Sequence, residues 1–202
     1  MSEISEKSLN REKEEQRLEP RGEVRRVAAL TIFIVVVSLL ALLLLMKVHA
    51  QSKYTLISPS GIAFSDFKGY EDWPFVSSAK DDSVLKVIVA NPSMIQAFKA
   101  GVPAGGKTFP DGSMIVKLQW KPKKSAVAQF PVDVPDVFTQ AFVMEKDSRR
   151  FPLTGGWGYA VFNYDAATHK FTPDAKSLSD CGNACHKAVK AQDYIFHPYE
   201  TR

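Results

Sequence analysis

Val27 to Met46 is a run of 20 residues without a charge, interrupted only by the hydroxyls of Thr31 and Ser38. As a helix it would be about 30 Å long, the thickness of a bilayer's hydrocarbon core. The run therefore predicts a transmembrane anchor over 27–47. Basic residues crowd its N-terminal side, whereas Lys47 and Lys53 are the only ones soon after it. That bias keeps the N-terminus cytoplasmic and exports the rest, for a single-pass protein of a bacterial inner membrane with its main domain in the periplasm. A cleavable signal peptide is the alternative, since Val48-His49-Ala50 resembles a processing site, although the apolar core is long for that role. Residues 1–26 carry seven basic and seven acidic side chains and almost no apolar ones, which predicts a charged cytoplasmic tail without a core.

Residues 48–69 read as a tether, with turn signals at Ser58-Pro59-Ser60-Gly61, and 70–202 as the domain. The domain is long enough for one sizeable core. It consists of short apolar runs separated by Pro and Gly. Val84–Ala90, Met114–Trp120, Val137–Met144 and Gly158–Asn163 read as strands, and Pro92–Lys99 (capped by Asn91) and Ala184–Ala191 as helices. Strands seldom alternate with long helices, so the expected class is α+β: a predominantly antiparallel sheet with a few peripheral helices, preceded by the N-terminal transmembrane helix. The net charge of +4 is modest. Lys121-Pro122-Lys123-Lys124 reads as a solvated turn, and without interleaved aromatics it argues against a nucleic-acid partner.

Chemistry concentrates in Cys181-Gly182-Asn183-Ala184-Cys185-His186-Lys187, which holds both cysteines and one of four histidines. Two thiols followed at once by an imidazole suit haem c, with thioethers from the cysteines and the histidine on iron. The usual spacing is C-x-x-C-H; here it is one residue longer. Gly182 and Asn183 readily adopt left-handed conformations, so the helix is expected to begin near Ala184 with Cys181 on an arm ahead of it. Attachment by both sulfurs or by Cys185 alone is compatible with that. Three other readings stay open: a Cys181–Cys185 disulfide, a zinc site short of a fourth ligand, and two inert buried thiols beside a surface histidine.

Several stretches together resemble the cytochrome P-460 family, which includes cytochrome c′-beta. They are Tyr70-Glu71-Asp72-Trp73, Asn91-Pro92, Phe109-Pro110-Asp111-Gly112-Ser113 leading into Ile115-Val116-Lys117, Lys146-Asp147-Ser148-Arg149-Arg150-Phe151, Gly155-Gly156-Trp157-Gly158, Ala184-Cys185-His186-Lys187 and Asp193-Tyr194-Ile195-Phe196. The resemblance implies an antiparallel sheet carrying one covalent haem c, with five-coordinate iron and an open distal side. It assigns His186 as proximal ligand and Cys185 as the second thioether cysteine. The family's first cysteine falls at Gly182, so Cys181 is displaced by one position.

The resemblance also implies that Lys117 matches a lysine that cross-links to the haem edge in members that oxidise hydroxylamine. Read from its own neighbours, Ile115, Val116 and Leu118, Lys117 is as readily a strand residue facing solvent. Phe142 falls where such members carry a distal carboxylate; a phenyl ring accepts no proton, so it would form an apolar cap over a neutral diatomic ligand. Ordinary core packing is the competing reading of Phe142. Two classes of function follow. One is a haem protein that binds NO or CO, carries electrons, or oxidises a small nitrogen compound. The other is a haem-free domain that uses the fold for binding at the membrane. Relatives commonly dimerise, so a homodimer is expected; the sequence does not identify a redox partner.

Overall fold

The computed structural model describes residues 24, 26–41 and 52–199. Residues 26–41 form a helix, α1, with exposed side chains throughout. Most of the expected charged tail, and residues 42–47 of the expected anchor, lie outside the described residues. Among the described residues, no helix is long and apolar enough to cross a membrane. The chain from Ser52 onward clusters as a unit separate from what precedes it.

That unit is built on one six-stranded sheet: β1 Phe75–Lys80, β2 Leu85–Ala90, β3 Met114–Lys124, β4 Asp133–Lys146, β5 Trp157–Asp165 and β6 Lys170–Pro173. Spatial order equals chain order, and every neighbouring pair is antiparallel. The antiparallel sheet with few helices is thus the expected one. Its edge strands were not expected. β1 buries only Val76, and β6 has four residues, so neither carries an apolar run that periodicity could detect.

The basic run is also corrected. Lys121–Lys124 is the end of β3, not a turn. Pro122 stands opposite Pro135 where the register shifts, the kind of position at which a residue without an N–H is tolerated. Lys123 pairs with Asp136 at 2.7 Å and Lys124 with Asp133 at 2.8 Å across the hairpin.

Alternation along the strands gives the sheet two faces. On one, Val89, Val116, Val143 and Ala160 form a cross-strand row, with Phe162 beside it. Ile62, Phe64, Phe67 and Tyr70 cover this row, and all four are buried. The Phe64 and Phe162 rings meet edge to face at 4.8 Å. Residues 52–69 are therefore a sealing layer rather than a tether. Phe64, Phe67 and Tyr70 sit in short 3-10 turns and Ile62 in irregular chain before them, and this spacing matches neither sequence template.

On the other face, Ile88, Lys117, Phe142 and Val161 form one row, and Ala90, Ile115, Met144 and Tyr159 the next. Helix α2, Pro92–Lys99, has the expected bounds and covers one end of this face with Met94, Ile95 and Ala97. Asn91 Oδ1 accepts from the backbone N–H of Met94 (3.0 Å) and of Met114 (3.2 Å), and its Nδ2 donates to the Gly112 carbonyl (2.8 Å). One side chain thus caps α2 and fixes the start of β3. Helix α3, Ser179–His186, lies on β5, and a 3-10 segment, Lys187–Gln192, follows it.

Candidate functional site

Between the second face and α3 is a cavity of about 520 Å³, within the range of small-molecule and cofactor sites. Lys117, Phe142 and Tyr159 line it from the sheet; Cys181, Cys185 and His186 line it from α3. All five residues expected from the sequence are brought to this one cavity.

The local helix differs from expectation. It starts at Ser179, ahead of Cys181, and continues through His186, so Cys181 is not on an arm. The two cysteines are one turn apart on the same helix, where i and i+4 share a face. Gly182 is needed for its missing side chain, not for a left-handed backbone. A Cβ at this position would overlap the Tyr159 side chain, on which α3 rests. Close helix–strand packing therefore excludes a cysteine where the family pattern puts one.

His186 is half-buried between the Tyr159 ring at 5.0 Å and the Phe196 ring at 4.9 Å. Its Nδ1 is 2.6 Å from the Tyr194 carbonyl oxygen. A carbonyl only accepts, so Nδ1 carries the proton and Nε2 keeps its lone pair, the arrangement of a metal-ligating imidazole with its second nitrogen tied down. Burial lowers the His186 pKa, the Tyr194 bond partly offsets this, and the Lys117 charge lowers it further. The net lowering, led by burial, favours the neutral, ligating form.

Lys117 does not face open solvent. It is half-buried beside Phe142, its direct cross-strand partner, with Nζ 4.0 Å from the ring centroid. Burial, and then the Lys86 charge, hold its pKa below the usual lysine value. Phe142 is half-buried and borders the cavity, so it is not a closed core residue.

The competing readings of the cysteines fare differently. Both thiols are free and exposed, unlike inert buried ones. Among the described residues, no group of three or more His, Cys, Asp or Glu side chains is placed to hold a metal, so a zinc site lacks its ligand set. A porphyrin needs only one protein nitrogen plus thiols at its edge, and that set is present beside a cavity. Sequence reasoning missed Tyr159, Tyr194 and Phe196. The signal was there in the run Asp193-Tyr194-Ile195-Phe196, which follows the helix at the distance needed to fold back on His186.

A mostly antiparallel sheet with a cysteine-and-histidine helix over a cavity fits a haem-binding class of protein. The chain belongs to the cytochrome P460 family, whose model matches residues 67–197. It is a haem protein of that family. No curated protein shows significant similarity to the chain.

Proposed function

We propose that the protein holds one haem c covalently, with His186 on the iron, Cys185 as the principal thioether and Cys181 as the weaker one, and that it binds a neutral diatomic ligand such as NO. The observation that carries this reading is His186, its Nδ1 committed to Tyr194 and its Nε2 free, beside two free thiols on one cavity. The haem supplies the iron centre for ligand binding and electron exchange. The chain supplies access and polarity. Tyr159 and Phe196 hold the imidazole plane, and Ile88, Ile115 and Met144 keep the floor apolar. Phe142 offers no proton acceptor, so nothing at that position can take a proton from a bound amine. A neutral diatomic needs no such help.

A second reading, hydroxylamine oxidation with Lys117 joined to the haem edge, is favoured by one observation. Lys117 borders the cavity, and its pKa is lowered, which raises the fraction of nucleophilic free amine. Titrating the reduced protein with NO and CO while recording its spectrum, then assaying hydroxylamine with an artificial acceptor, separates the two. Gas binding without turnover is the expected result; rapid turnover by the protein with Phe142 intact moves it to the enzyme branch.

The apolar run 27–46 and the exposed apolar side chains of α1 support a membrane anchor that presents the haem domain to the periplasm. Lys123 and Lys124 are engaged in cross-strand ion pairs, which supports the absence of a nucleic-acid role. A homodimer remains part of this proposal. Crosslinking of the membrane-inserted protein tests it: a crosslinked dimer is expected, and a monomer alone would contradict it.

A further inference from the structure

The bond from His186 Nδ1 to the Tyr194 carbonyl depends on an unusual piece of backbone. Asp193 and Tyr194 are consecutive non-glycine residues in the left-handed region, with φ of 46° and 67°. Residues with side chains avoid that region unless the surroundings hold them there. Here they are held. The Asp193 carboxylate accepts from the Phe109 backbone N–H at 2.7 Å and from Lys146 Nζ at 2.8 and 3.0 Å. Lys146 Nζ also donates to the Gly155 carbonyl at 2.9 Å, and it lies 5.0 Å from the centre of the Trp157 ring. Gly155 in turn seats the Tyr194 ring, where a Cβ would collide with it.

Lys146 is itself fixed. It is the last residue of β4, and its own N–H and carbonyl bond to Ser113 and Gly112. Both side chains of the pair are 5% exposed. A buried ion pair is a poor way to stabilise a core, because well-packed apolar residues do as well or better. What it does supply is a defined position for each partner.

We infer that Lys146 and Asp193 are positioning residues for His186. The sheet fixes Lys146, Lys146 fixes Asp193, and Asp193 holds the left-handed pair that aims the Tyr194 carbonyl at Nδ1. The tautomer and ring plane of the imidazole are thereby set from the sheet, through a residue that touches neither the histidine nor the cavity. The consequence for iron rests on the haem reading proposed above; the hydrogen bond itself does not.

The test uses the full-length protein in detergent, prepared both without and with haem. Asp193→Asn keeps a residue tolerant of the left-handed region and an acceptor for Phe109 but removes the charge pairing. The double variant Lys146→Met with Asp193→Asn leaves no buried charge alone and guards against a single variant that does not fold. Without haem, nitrogen NMR of labelled histidine should show a downfield, slowly exchanging Nδ1–H of His186. Both variants should shift it upfield and lose its slow exchange. Phe162→Ala, on the other face of the sheet, lowers stability but should leave the chemical shift in place. With haem, the iron–histidine stretching band should fall in frequency in both variants and not in Phe162→Ala. Variants that unfold at lower temperature yet keep the wild-type Nδ1–H shift would overturn the inference. A protein that takes up no haem but shows the predicted NMR changes would uphold it and count against the haem reading instead.

Discussion

Val89, Val116, Val143 and Ala160 are covered by Ile62, Phe64, Phe67 and Tyr70, and the gap between Phe64, Phe67, Tyr70, Val116 and Val143 is too small to admit a water. One residue along the same strands, Ile88, Lys117, Phe142 and Val161 border a cavity of about 520 Å³. The hydrogen-bonded framework is shared; what differs is the cover. A segment rich in aromatic rings seals the first face, whereas α3 and the residues after it roof the second and enclose the cavity. Dispersion contacts and apolar burial are collected on one side and forgone on the other. The tight face carries the stability that allows the open face to hold a cavity and a half-buried lysine.

The sharpest way to break this comparison is to cut the same side chain from each face. Phe162, fully buried on the tight face, should cost about 3–5 kcal/mol on substitution by alanine, read as a shift in denaturant midpoint. Phe142 is half-buried at the cavity edge, and its removal should cost less than about 1.5 kcal/mol. Equal losses would show that the two faces are packed alike.

Gly182→Ala addresses the roof of the open face. The added methyl meets the Tyr159 side chain, so α3 must shift; overpacking of this kind costs about 1–3 kcal/mol. Because Cys181, Cys185 and His186 lie on α3, the substitution should also lower the yield of covalently bound haem, measured against total protein. Wild-type stability and yield together would mean that α3 does not rest on Tyr159.

Lys117→Met gives the smallest effect, on haem-free protein. The folded chain holds the Lys117 pKa below its ordinary value, chiefly through burial, so in the window between the two values the unfolded chain binds more protons. Stability linked to this group therefore rises with pH through that window and is lowest below it. Lys117→Met should raise the unfolding temperature slightly near neutral pH, and the difference from wild type should shrink as pH approaches the ordinary lysine value. A difference independent of pH would place Lys117 in solvent.

The same contrast explains what the sequence allowed one to read. Strands β2 to β5 pass through both faces and carry apolar runs, so their presence was legible. The Asn91 cap of α2 was legible because its chemistry is local. The sealing layer was not, since Ile62 lies in irregular chain and Phe64, Phe67 and Tyr70 in 3-10 turns, all after a turn signal at Ser58-Pro59-Ser60-Gly61. Cys181, Cys185 and His186 were recognisable by residue type and spacing. The course of their helix was misread because Gly182 has two physical uses, backbone freedom and close approach, and the sequence does not say which applies. Lys146 and Asp193 are 47 residues apart, and only the fold brings them together.

The central claim is that the open face holds a haem joined through Cys185, next to a ligating His186. Intact-mass measurement of chain matured with c-type haem machinery, together with haem staining of the denatured chain, tests it most directly when wild type, Cys181→Ala and Cys185→Ala are compared. The account predicts a haem adduct on wild type, an adduct retained by Cys181→Ala, and loss or severe reduction in Cys185→Ala. An unmodified, colourless wild-type chain, or haem retained by Cys185→Ala and lost from Cys181→Ala, would contradict it.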